Sequence, residues 1–154
     1  DSPADIEVIL GDARISLERE RAEGNPERYD VLDVDAFTSD AIPIHLLTRE
    51  AIDLYLDRLN PGGVIAFHVT NRHLDLAQVL FPLAAEAGLA ASLLVDRQNT
   101  TWSKGSTWLL ASRDPEVLAA VVGDGPIFRP GDAPLGRGRV WTDDWSDLVG
   151  ILKE

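Results

Sequence analysis

Short apolar runs of strand length alternate along this chain with stretches whose apolar residues return at helical spacing. Residues 6–10 form a β-prone run stopped by Gly11-Asp12. Residues 13–22 read as a mostly exposed helix, with Ile15, Leu17 and Arg/Glu pairs at helical spacing, ended by Gly24-Asn25-Pro26. Residues 29–34 predict a second strand, followed by a polar loop to about Leu47. Thr48 is a good N-cap for a helix over 49–59, on which Ile52, Leu56 and Leu59 share a face with Tyr55 beside them. Asn60-Pro61-Gly62-Gly63 predicts a turn and 64–69 a third strand. A helix over 74–87 is closed by Gly88, and 90–95 and 107–112 predict two more strands. Residues 115–122 predict a short helix, and the Gly/Pro-rich residues 123–138 a loop. Asp143 or Asp144 is placed to cap a final short helix carrying Leu148, Ile151 and Leu152.

Strands alternating with helices predict an α/β domain with a mostly parallel sheet covered on both faces, a single unit over residues 1–154. Ligands of such sheets bind at the carboxyl ends of the strands. That rule selects Gly11-Asp12, residues 33–40 and residues 68–71, far apart in sequence and expected to meet at one edge.

The composition narrows the chemistry. The apolar fraction of 45% and charged fraction of 26% are those of a globular protein. No stretch is apolar for the length that a membrane-spanning helix needs. The chain has no cysteine, which removes disulfides, zinc-thiolate sites and thiol catalysis, and no methionine, so an initiator is expected elsewhere. A formal charge of −12 argues against a nucleic-acid partner and is compatible with a cationic substrate; solubility explains it as well.

Asp33, Asp35 and Asp40 are the strongest local feature. Asp33 and Asp35 stand two apart and share a strand face, and crowded carboxylates raise one another's pKa toward values useful to a general base. A strand end followed by an Asx-type turn accounts for the same residues. Asp12 can accept a hydrogen bond from an exocyclic amine or simply cap the helix after it. His68, His73 and Asp75 fit no metal-binding spacing, and a structural role is the better account of each histidine. His45, in the loop after the aspartates, is at most a substrate neighbour. Ser103 and Ser106 lack a nucleophile-elbow setting, and no phosphate-binding loop occurs. Trp102 can wall a ligand pocket or pack at a strand edge; for Trp108 packing is the better account.

Taken in order, several segments resemble the spermidine synthase (aminopropyltransferase) family: V-I-L-G-D-A-R at 8–14, Y-D-V-L-D-V-D-A-F-T-S-D-A-I-P at 29–43, L-L-T-R-E-A at 46–51, L-N-P-G-G-V at 59–64 and W-S-K-G-S-T-W at 102–108. V-W-T-D-D-W-S-D-L at 140–148 is similar to a signature of spermidine synthase-like proteins fused to a membrane-transporter-like half. The resemblance implies a Rossmann-like S-adenosylmethionine-dependent methyltransferase fold missing its first strands. The family's glycine-rich strand and ribose-binding acidic residue are expected before residue 1.

It further implies aminopropyl transfer from decarboxylated S-adenosylmethionine to a diamine or polyamine, without a metal. Asp12 and Ala13 would meet the nucleoside. Asp40 would be the base with Asp35 its partner, although the acidic loop is longer than in spermidine synthases. Trp102 stands where the family has a tyrosine lining the polyamine channel, and Asp33, where the family is usually apolar, would also face substrate. A homo-oligomer is expected, in the cytoplasm, within a parent that a transporter-like half would attach to a membrane. The shared fold also admits a methyltransferase using S-adenosylmethionine, and the missing start admits a non-catalytic domain packed on a partner.

Overall fold

A computed structural model describes residues 3–24, 27–36, 43–98, 105–132 and 139–153. Among the described residues four strands and four helices follow one another along the chain, alternating up to β3. They are α1 (Ala13–Glu23), β1 (Tyr29–Val34), α2 (Arg49–Asp57), β2 (Leu59–His68), α3 (Ala77–Glu86), β3 (Ala90–Val95), β4 (Thr107–Ser112) and α4 (Pro115–Val122). Single 3-10 turns form at Ile44–Leu46 and at Val149–Ile151.

Capping residues set the helix limits. Asp12 accepts the Ile15 N–H at 3.1 Å to start α1, and Gly24, left-handed at φ 81°, returns its N–H to the Arg21 carbonyl to close it. Thr48 accepts from the Ala51 N–H to start α2, and Asp114 with Pro115 behind it starts α4. α2 buries Ala51, Ile52, Leu54, Tyr55 and Leu56, while α3 is apolar nearly all round and carries Pro82 inside it.

The sheet order is β1-β2-β4-β3. β1 pairs parallel to β2 across the α2 crossover, but β4 is antiparallel to both β2 and β3. The expected mostly parallel sheet is therefore corrected to a mixed one. Only residues 96–106 separate β3 from β4, and a connection that short returns a strand antiparallel rather than carrying it across the sheet. The run at 6–10 forms no strand: Ile6, Val8, Ile9 and Leu10 are exposed in irregular backbone. Asn60 to Gly63 lie within β2, where a register shift between Tyr29 and Val31 absorbs them, rather than forming a separate turn. The expected final helix reduces to the Val149–Ile151 turn, preceded by a Thr142–Trp145 bridge. Residues 123–132 are irregular, with Phe128 bridging Ala91; the rest of the expected loop, residues 133–138, lies outside the described residues.

The two sheet faces are covered unequally. Leu32, Val34, Ile65, Phe67, Leu109 and Ala111 pack with α2, α3, Trp141 and Ile151 into the main core. Val64, Ala90 and Leu110 pack with Leu118 of α4 into a smaller one. Side chains alternate along a strand, so Asp33, His68 and Trp108 belong to the face that α4 covers. α4 packs on β2, β3 and β4. Beside β1 that face is open, with Val31 62% exposed.

Candidate active site

The carboxyl end of β1 supplies two carboxylates and the adjacent end of β2 a histidine. The pairing of Asp33 with Ala66 and Val34 with Phe67, continued by one residue, sets Asp35 beside His68. The His68 Nδ1 lies 2.7 Å from Asp35 Oδ1. Across β2 and β4, His68 is the partner of Trp108, and the two rings stack with centroids 4.6 Å apart and planes at 21°. His68 Nε2 is buried and has no hydrogen-bond partner among the described residues. Partial burial first, and then the Asp35 carboxylate, push the Asp33 pKa above the ordinary carboxylate value, with His68 opposing.

A cavity of about 380 Å³ opens along β1, lined by Gly11, Ala13, Tyr29, Asp33, Asp35 and Tyr55, among others. Two of the three segments selected by the strand-end rule thus share one cavity wall, and the third reaches it through the His68–Asp35 hydrogen bond. Asp12 stands at its margin with both oxygens engaged. Oδ1 caps α1, and Oδ2 lies 2.8 Å from His45 Nε2. The Ile15 N–H, and after it His45, hold the Asp12 carboxyl below its usual pKa against the opposing effect of burial.

A second cleft, of about 550 Å³, is lined by Arg14, His45, Thr48, Thr142, Asp143 and Ser146. Arg14 donates to Asp143 through both terminal nitrogens, at 2.7 and 2.5 Å, to the His45 carbonyl at 2.6 Å and to Thr48 Oγ1 at 3.2 Å. This bidentate pair ties the start of α1 to the T-D-D-W segment.

Of the predicted site residues, Asp12, Ala13, Asp33 and Asp35 lie at or beside the first cavity; Asp40 and Trp102 lie outside the described residues. The strand-end rule selects His68, but sequence reasoning misses its pairing with Asp35, because a lone histidine reads as structural and its carboxylate partner is 33 positions away. Its place at the carboxyl end of a predicted strand is the available signal. Among the described residues no three His, Cys, Asp or Glu side chains converge as metal ligands. No helix among them is long and apolar enough to cross a membrane.

No protein-family model matches the chain. Over 105 residues, 66% of the chain, it is 30% identical to a probable polyamine aminopropyl transferase of Bifidobacterium longum (strain NCC 2705). The chain spans only 22% of the length of that curated relative. The likeness supports kinship with aminopropyltransferases at the level of the family.

Proposed function

We propose that this chain forms part of an aminopropyltransferase that uses decarboxylated S-adenosylmethionine and a diamine or polyamine. The observation that carries the reading is the pair of acidic residues at the end of β1, Asp33 and Asp35, which line one cavity together with Gly11 and Ala13. The likeness to a named aminopropyl transferase supports it.

The reaction sets the requirements. An acceptor amine with a pKa near about 10.4 is mostly protonated at neutral pH, and freeing its lone pair costs roughly 4.5 kcal/mol. A carboxylate beside the ammonium binds it and receives its proton. The nitrogen lone pair then forms a bond to the propyl carbon, and the carbon–sulfur electron pair leaves with sulfur. The sulfonium becomes the neutral thioether of 5′-methylthioadenosine, so charge is moved from sulfur to the new ammonium without a redox partner. Asp35, exposed at the strand end, and Asp40 are the proposed proton acceptors. Asp33 would add negative charge for the amine. Asp12 and Ala13 would border the nucleoside, and Trp102 the acceptor chain.

Release of methylthioadenosine by the full-length protein, supplied with decarboxylated S-adenosylmethionine and putrescine or spermidine, tests the reading. Product is expected, with a loss of about 10²–10⁴-fold in kcat for the variant lacking the working carboxylate, Asp35→Asn or Asp40→Asn. Absence of product and of nucleoside binding with every common polyamine would sink it. Methyl transfer from S-adenosylmethionine in place of aminopropyl transfer would replace it with the methyltransferase reading.

A further inference from the structure

We propose that His68 is a positioning residue that acts through Asp35, and the inference rests on the aminopropyl-transfer reading above. Asp35 stands just beyond the last residue of β1, where the strand ladder no longer fixes its side chain. Its side chain is 52% exposed, against 24% for His68. A carboxylate so placed samples several rotamers unless a partner holds it.

His68 supplies that partner. Its Nδ1 meets Asp35 Oδ1 at 2.7 Å, and its ring is itself held by the Trp108 indole stacked on it. The chain of contacts therefore runs from the β4 ladder, through two stacked rings, to one carboxylate oxygen, leaving the other oxygen for an incoming amine. Burial of His68 Nε2 argues that the ring does not itself take the amine's proton. In the neutral ring, an Nδ1–H donating to Asp35 leaves Nε2 as the unprotonated nitrogen, so the buried position then holds a lone pair rather than an unpaired N–H. The dyad thus fixes a tautomer as well as a rotamer.

Two measurements test this. Ring ¹⁵N shifts of His68, recorded on this chain at alkaline pH where imidazole is neutral, should show the Nδ1–H tautomer, moving toward Nε2–H in Asp35→Ala. This readout needs no activity, so it stands even if aminopropyl transfer is not found. An Nε2–H tautomer in the unaltered chain, or shifts indifferent to Asp35→Ala, overturns the proposal.

In the active full-length protein, His68→Leu should lower kcat about 10–100-fold, as misplacement of a catalytic group does. The same change added to Asp35→Asn should cost almost nothing further. Losses that multiply instead would assign His68 an independent role and overturn the proposal. Where His68→Leu does not fold, His68→Asn against His68→Gln makes the same distinction. Asn carries an amide N–H at the Nδ1 position and should lose several-fold less than Gln, whose amide lies farther out; equal losses overturn the proposal.

Discussion

Asp143→Asn isolates the ion pair that joins the start of α1 to the C-terminal segment. The Arg14 side chain is 11% exposed and that of Asp143 42% exposed, and the two make parallel hydrogen bonds at 2.7 and 2.5 Å. Asparagine offers one oxygen, so one of the two guanidinium donors faces an amide N–H and the other keeps only a neutral acceptor. A hydrogen bond to a charged group contributes about 1.5–3 kcal/mol. Solvent reaches nearly half of Asp143, which screens the pair and discounts the loss to about 2 kcal/mol. For a chain of this size that corresponds to a fall in Tm of about 4–8 °C.

The pH dependence supplies the sharper test. The Arg14 hydrogen bonds chiefly, with a smaller contribution from Thr48, hold the Asp143 pKa below its usual value against burial. A depressed carboxylate contributes stability that is fully present above the unfolded pKa, about 3.9, and is lost as pH falls through the folded value. Urea unfolding of the unaltered chain and of Asp143→Asn should therefore differ most near neutrality and converge in acid, below both values. A gap of the same size at both pH values, or none at neutrality, would refute the account of a charge-assisted clamp.

Three other outcomes follow from local geometry. Arg58 is fully buried, donating to Glu20 at 3.1 Å and to the Leu17 carbonyl, so Arg58→Ala should cost about 3 kcal/mol in urea unfolding and raise amide exchange in α1; Arg58→Met, which refills the volume, should recover part of that. A Cβ at Gly105 would lie 2.6 Å from the Asp96 carbonyl oxygen, so Gly105→Ala should lower stability by about 1–3 kcal/mol in the same assay. Burial, then Asp35, raises the Asp33 pKa, which removes stability as pH rises from the unfolded value through the folded one. Asp33→Asn should therefore be slightly more stable at neutral pH, by no more than about 0.5 kcal/mol for a group this exposed, with the gain vanishing in acid.

Sequence periodicity locates nearly every helix and strand, and most helix ends are capped or broken by their own residues. Thr48, Gly24, Asp114-Pro115 and Gly88 act on neighbours within a few positions, and such signals survive without tertiary context. The run at 6–10 shows the limit of that reading. Its β-prone residues meet no described partner strand, and a strand exists only where another completes its ladder.

The acidic strand end is legible for the same local reason: Asp33 and Asp35 announce themselves by spacing and by following an apolar run. What the sequence alone determined is this set of elements and the carboxylates at their ends. Tertiary structure decided the rest. The place of β4 beside β2 follows from the pairing of those two strands, the partner of Asp35 from the parallel register of β1 on β2, and the closure of Arg14 on Asp143 from two segments 129 positions apart. Each is a contact between residues distant in the chain, and no local pattern of hydrophobic and polar positions encodes such a distance.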